Sequence, residues 1–291
     1  MKQAYLWIAG VVGSAAVAGG GIALMQSQPE AIAPEDSAVV TPTTPSTPTQ
    51  EVPSEPETAA PRPDPKLSDF PHKRLELTDE VPAGSEFDQF RDRLQQAIQA
   101  RDEAFIRSLL PPDGLFYGFG GPMNIEDMDL NIDDGWFWQV LEKMMALESC
   151  EPSDYPPVEA GNPVWVCPNT TQAFYRQYPD PETAPGDEYE FSTIMVMGNN
   201  VNVRAAANTN SAVVGILSNE LVEFDQATAS RLYQDSPDSM PDELESWTPI
   251  ILPNDVRGYV YSRYAYAPLD PRGLFENVNG QWQLIRVLAG D

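Results

Sequence analysis

Histidine is all but missing from this chain of 291 residues: His72 is the only one. A hydrolase built on a Ser-His-Asp or Cys-His arrangement therefore has a single base to draw on, placed beside Pro71 at the edge of a linker. Cysteine is nearly as scarce. Cys150 and Cys167 are the only two, and two thiolates without neighbouring imidazoles cannot complete a tetrahedral zinc site. Positive charge is the third shortage: 17 Lys and Arg stand against 44 Asp and Glu, for a formal net charge of -27. Such a surface repels phosphate backbones and anionic lipid, which excludes nucleic-acid binding through a basic patch. A phosphate-cradling glycine loop is lacking too, because Gly118–Gly121 lies on the wrong side of a helix start and Gly19–Gly21 belongs to the leader. Carboxylates are so abundant that pairs suited to glycosidase-type chemistry arise by number alone, and none is marked out.

The first quarter of the chain carries no pattern of a packed domain. Met1-Lys2-Gln3 precedes a largely apolar stretch from Ala4 to Met25. Ala4–Val12 has the character of a signal-peptide h-region, with Ala16-Val17-Ala18 as a small-residue cleavage site. The whole stretch is equally long enough to span a bilayer uncleaved. Residues 1–25 are thus read as a signal peptide or a membrane anchor, with 4–25 as the tether. Residues 26–67 are rich in Pro and Thr, as in Thr41-Pro42-Thr43-Thr44-Pro45. With no periodic apolar residues, this segment cannot offset its ordering entropy and is expected to be a disordered linker. In polyproline-like geometry it would reach on the order of 100 Å. Export to an oxidising compartment suits an even pair of cysteines, and a Cys150–Cys167 disulfide is expected.

Residues 68–190 read as a small α+β domain. Ser85 followed by Asp88 is a capping-box-like start, and Phe87, Phe90, Leu94 and Ile98 then recur on one helical face. Phe105 and Leu109 extend the apolar set until Pro111-Pro112 stops it. A second helix is expected with Asp133 or Asp134 as cap, burying Trp136, Val140, Met144 and Leu147 and ending near Ser149. Leu115–Phe119 and Val164–Val166 read as strands; Phe174-Tyr175 and Phe191–Met197 are further strand candidates. The disulfide would tie the end of the second helix to the Val164–Val166 strand. Asp127, Asp129, Asn131, Asp133 and Asp134 alternate like a calcium loop. That pattern fails at Ile132, where Gly is required, and at Trp138, where a bidentate Glu is required. The acidic segment 126–134 is therefore not assigned as a metal site.

Between residues 191 and 267, short β-branched and aromatic runs alternate with polar turns. They are Val201-Asn202-Val203-Arg204, Val213–Leu217, Trp247–Ile251 and Arg257-Gly258-Tyr259-Val260-Tyr261, the last leading to Tyr264. In this order the stretch Thr193–Ala267 resembles the bacterial SH3 (SH3b) family. The Val-Asn-Val-Arg opening, the Gly-aromatic-Val element at Gly258–Val260 and the downstream Tyr264 carry the likeness. It implies an SH3-like β-barrel that binds cell-wall or peptide ligands. Two departures stand out. Ala205-Ala206-Ala207 replaces the family's usual Ser-Gly-Pro turn, and Asp225–Ser246 is a long insertion with acids at Asp235, Asp238, Asp242, Glu243 and Glu245. After the barrel, residues 268–291 hold Asn279-Gly280 between apolar runs, a strong hairpin signal. This tail, ending Ala289-Gly290-Asp291, is similar to the close of a group of uncharacterised exported SH3b proteins.

The expected architecture is thus an α+β domain, an SH3-like barrel and a C-terminal hairpin. The expected ligand-binding residues are Trp247, Tyr259, Tyr261 and Tyr264, with Tyr266 able to join them as an aromatic groove. Carboxylates of the insertion near such a groove would favour ligands with free amines. The leading expectation is a non-enzymatic, cofactor-free exported protein of the periplasm or cell envelope, held to the inner membrane if the leader is retained. Its expected partner is peptidoglycan or an envelope peptide or protein. The alternatives are a structural scaffold with no small ligand and a carboxylate-dependent hydrolase.

Overall fold

Why α1 (Glu86–Ala100) begins where it does is visible in its cap: the Ser85 side chain accepts a hydrogen bond from the Asp88 amide. Asp88 returns the favour by accepting from the Gly84 amide at 2.8 Å. Phe87, Phe90, Leu94 and Ile98 are all buried, as their spacing requires. The helix ends at Arg101, in the left-handed region at φ 53°. Asp102 then caps α2 (Glu103–Leu109) through the Phe105 amide.

The computed structural model describes residues 65–179, 188–235 and 242–290. The leader at 4–25 and most of the linker lie outside them. Among the described residues, no helix is long and apolar enough to cross a membrane. The chain continues through β1 (Leu115–Tyr117), β2 (Pro122–Met123), α3 (Trp136–Met145), β3 (Glu151–Ser153), β4 (Val164–Cys167), α4 (Thr170–Gln177) and α5 (Glu188–Phe191). There follow β5 (Thr193–Val196), β6 (Val201–Arg204), β7 (Val213–Leu217), β8 (Glu220–Phe224) and α6 (Gln226–Asp235). The last elements are β9 (Trp247–Ile251), β10 (Arg257–Tyr261), β11 (Ala265–Tyr266), β12 (Arg272–Val278) and β13 (Gln281–Leu288). The fold is α+β.

Two sequence expectations are corrected here. Phe174-Tyr175 lies in α4, not a strand: Thr170, Ala173 and Phe174 are buried together at helical spacing. The cap of α3 is Gly135, not Asp133 or Asp134. A Cβ on Gly135 would sit 2.2 Å from the Asp129 carbonyl oxygen, so backbone crowding selects glycine there. Trp136 and Leu147 are only half-buried, while Phe137, Trp138 and Leu141 take the core side with Val140 and Met144.

The first sheet has the order β2-β1-β13-β12-β4-β3. Asn279 and Gly280, both with positive φ, turn β12 back into β13 as the hairpin signal predicts. This hairpin is no appendage. It occupies the middle of the sheet, with β13 parallel to β1 and β12 antiparallel to β4. Helix α1 covers one face, where Phe87 stacks on Trp165 (5.1 Å between ring centroids) and meets Trp282 at 4.8 Å. The other face gathers Val164, Val166, Leu274, Val278 and Ile285. There the buried Glu276 carboxylate accepts hydrogen bonds from the Val158 and Glu159 amides, at 2.6 and 2.8 Å. The Cys150–Cys167 disulfide joins the residue before β3 to the end of its neighbour β4. It therefore bridges adjacent strands, five residues beyond the end of α3.

The second sheet is antiparallel throughout, in the order β11-β5-β8-β9-β10-β6-β7. It coils on itself. Strand β7 stands three strands from β9, about 14 Å along a flat sheet. Yet a Cβ on Gly215 of β7 would lie 2.6 Å from the side chain of Leu252, just beyond β9. The coil does not close into a barrel, and its edge strands β7 and β11 do not pair with each other. Chain from before the first sheet adds to the core of the coil and pairs with β8. Phe70 packs into the apolar cluster enclosed by the sheet, and the Lys73 carbonyl and Leu75 amide bond to Leu221 and Asn219 at 2.8 and 2.7 Å.

Helix α3 is held to the second sheet by a buried cation. Lys143 Nζ lies 3.0 Å from Glu243 Oε2 and 3.4 Å from Asp270 Oδ2, and 5.4 Å from the centroid of the Tyr266 ring. The Tyr266 hydroxyl donates to the Lys143 carbonyl at 3.3 Å. Burial works against the ammonium, but Asp270 and Glu243 outweigh it and raise the Lys143 pKa. Lys143→Met is expected to cost about 2–3 kcal/mol, less than for a fully buried pair because Glu243 keeps solvent. Adding Asp270→Leu should recover part of that loss, with urea unfolding of all three proteins as the measurement. Removing the disulfide by Cys150→Ala and Cys167→Ala is expected to lower stability by about 3 kcal/mol, from the entropy of the closed loop. The urea midpoint of the double variant against that of the parent reads this.

Candidate functional site

Strands β9 and β10 place two aromatic side chains directly opposite each other: Tyr261 pairs with Trp247 in the antiparallel register. Their ring centroids are 5.4 Å apart at an interplanar angle of 58°. Tyr264 follows in a 3-10 turn, Ser262–Tyr264, and is 40% exposed. Gly198, at φ +135°, shapes the neighbouring turn. A Cβ there would press on Val201 at 3.0 Å and on the Tyr264 ring at 3.3 Å, so glycine lets that ring lie against the backbone.

Trp247, Tyr261 and Tyr264 line one open groove of about 520 Å³. The turn before β6 contributes Asn199 and Asn200, and β6 itself Asn202 and Arg204. Ala207, Asn208 and Thr209, from the loop between β6 and β7, complete it. That loop is where Ala205–Ala207 departs from the Ser-Gly-Pro turn. Its shape is kept by Ser211, whose hydroxyl donates to the Ala206 carbonyl at 2.9 Å and accepts from the Ala206 amide at 3.2 Å. Arg204 adds a hydrogen bond to the Ser211 carbonyl at 2.8 Å.

The four expected ligand-binding residues divide three to one. Tyr259 is half-buried, pairs with Arg204 of β6 and does not line the groove. Tyr266 is excluded as well: at 2% exposure it is core, under α3. The asparagines were missed because the aromatic pattern drew the reading. The available signal was the clustering of Asn199, Asn200 and Asn202 at one end of β6 and Asn208 and Asn210 past the other.

The described residues of the acidic insertion border the groove without lining it. Glu245 accepts hydrogen bonds from the Tyr261 hydroxyl and from Arg263, the latter at 2.7 Å. The Tyr261 bond, then Arg263, holds the Glu245 carboxyl below its ordinary value, and the same bond raises the Tyr261 phenol. The Ser246 carbonyl accepts from the Ser262 amide at 2.9 Å, which fixes this end of the insertion beside the aromatic residues. Its tip at 236–241, with Asp238, lies outside the described residues.

At the other end of the insertion, Asp225 caps α6 by accepting from the Thr228 amide at 3.0 Å and hydroxyl at 2.7 Å, and it pairs with Arg257. Burial pushes the Asp225 carboxyl up, but the Arg257 and Thr228 hydrogen bonds outweigh it and hold it below the usual range.

At Asp270 burial prevails over Lys143 and raises the carboxyl above its ordinary value. It borders a cavity of about 10 Å³ with Glu243 and Lys143, room for about one water. Among the described residues, no cluster of His, Cys, Asp and Glu is suited to a metal ion. In the acidic segment 126–134, the Asp127 carbonyl accepts from the Trp136 indole at 3.2 Å and the Asp129 backbone is left-handed at φ 53°. His72 bonds to Glu220 at 2.5 Å and to the Ser68 carbonyl at 3.0 Å, and Cys150 and Cys167 are bonded to each other.

Compared with known families, characterised proteins and solved structures, the chain matches no family model, no curated protein and no solved structure.

Because the folded-state pKa of Asp225 is depressed, its contribution is complete above the unfolded value of about 3.9 and is lost as pH falls through the folded value. Asp225→Asn keeps a capping oxygen and removes the charge. It is expected to cost about 1 kcal/mol at pH 7, the Arg257 side of the pair being solvated. The gap between the two proteins should close below about pH 4, read from urea midpoints across pH 3–7.

Proposed function

We propose that this chain is a non-catalytic binding protein of the cell envelope, which holds peptidoglycan or an extended peptide in the groove beside β9 and β10. The groove itself carries the reading. It is open, of the volume that ligand sites occupy, roughly 300–1,000 Å³, and it brings together Trp247, Tyr261 and Tyr264. The coiled antiparallel sheet around one apolar cluster supports the relation to SH3b domains, although the sheet stays open. The disulfide suits an exported, oxidising location, and the 4–25 stretch would hold the protein at the inner membrane. A carboxylate-dependent hydrolase is less well supported: Glu243 and Asp270 share Lys143 and face space for about one water.

The test is co-sedimentation of the full-length chain with isolated peptidoglycan sacculi over a salt series. Saturable binding that changes little with salt is expected, because Arg204 is the one charged side chain among the groove residues described above. Tyr264→Ala, at an exposed ring, should weaken it about tenfold. Binding that is absent at all salt concentrations, or indifferent to Tyr264→Ala and Trp247→Ala together, would remove the groove from the function. It would favour the scaffold reading, to be followed by cross-linking to envelope proteins.

A further inference from the structure

The composition of the groove specifies its ligand more narrowly than its shape does. Among the described residues no carboxylate lines it, although the chain has 44 acidic residues. The adjacent carboxylate, Glu245, is occupied by Tyr261 and Arg263, so a free amine finds no unpaired counter-charge among the described residues. The described part of the insertion thus gives the groove no free carboxylate for an amine-bearing ligand; its tip at 236–241 lies outside the described residues. An anion would meet only Arg204, against the field of a protein that as a whole is strongly negative. What remains is a run of amide and hydroxyl side chains facing three aromatic rings.

A carboxamide presents a donor and an acceptor side by side, and a sugar hydroxyl needs one of each. The C–H face of a pyranose ring carries partial positive charge and lies well on the negative face of an indole or phenol ring. Asn199 and Asn202 are exposed beside the groove, and neither side-chain amide has a hydrogen-bond partner among the described residues. We infer that the groove is a saccharide site, taking a short segment of a neutral glycan chain with Trp247 and Tyr264 as stacking platforms and Asn202 as a hydroxyl-binding amide. This rests on the groove being the binding site.

The full-length chain is titrated to millimolar concentration with three soluble probes, followed by the indole and carboxamide signals in ¹H–¹⁵N NMR. The probes are a β-1,4-linked N-acetylglucosamine hexamer, the glucose hexamer of the same linkage, and a wall stem peptide with a free diamino-acid side chain. Saturable shifts with the acetylated hexamer are expected. They should weaken about fivefold in Asn202→Ala, an exposed position whose thermal melt checks the fold, and about tenfold in Tyr264→Ala. Equal binding of the glucose hexamer supports the same chemistry and points to a polysaccharide other than the acetylated wall strand as the source. Binding of the stem peptide alone, or of sacculi with neither hexamer, overturns the saccharide assignment and leaves the groove as a binding site. Failure of every probe and of sacculi overturns both.

Discussion

A buried ammonium group sits where the two sheets of this molecule meet. Lys143 projects from the helix that covers the first sheet and ends between Glu243, in the insertion of the second sheet, and Asp270, in the crossing between the sheets. Taken singly, each of these charges would oppose burial. Together they satisfy one another, with the Tyr266 ring closing the site. Such a cluster contributes little net stability compared with an apolar filling of the same space, but it strongly penalises any other alignment of the parts. It fixes where Asp270 and Glu243 sit, and hence the chain leading from Leu244 through Glu245 to Trp247.

That chain reaches the groove within a few residues. Glu245 restrains Tyr261, Ser246 pairs with Ser262, and Trp247 opposes Tyr261 in the register of β9 and β10. The aromatic part of the groove is thus attached to the rigid sheet, whereas Asn208 and Thr209 come from a loop held by hydrogen bonds to Ser211. A site of this kind presents a fixed stacking surface and a more adaptable polar side, a division suited to a ligand recognised by ring faces and hydroxyl groups.

Much of the local structure was legible in the sequence because local physics decided it. The Ser85 cap and the period of Phe87, Phe90, Leu94 and Ile98 specify α1 without reference to the rest of the chain, and Asn279-Gly280 specifies its hairpin. The runs at Val201 and Arg257 read correctly as strands, and Trp247, Tyr261 and Tyr264 meet in one groove. What could not be read depends on distant neighbours. Phe174-Tyr175 has strand-like composition, but its partners are Leu75, Met195 and Tyr266, which accept a helix. Gly135 caps α3 because of the Asp129 carbonyl, and no propensity encodes that crowding. Tyr266 and Tyr264 look alike in sequence and differ only in what α3 covers. The second sheet also takes in Phe70, at its core, and Lys73–Leu75, along β8, from chain that precedes it by more than a hundred residues.

The central position of β12 and β13 in the first sheet has a consequence for biosynthesis. Strands β1 and β4 emerge from the ribosome about a hundred residues or more before their pairing partners β13 and β12. The second sheet can assemble while the first still waits with unpaired edges. A nascent chain stalled after β11 would expose two strand edges and the apolar face of α1 at once, a form open to aggregation and proteolysis. The core that α1 begins is buried only once β12 and β13, some two hundred residues further on, have been made.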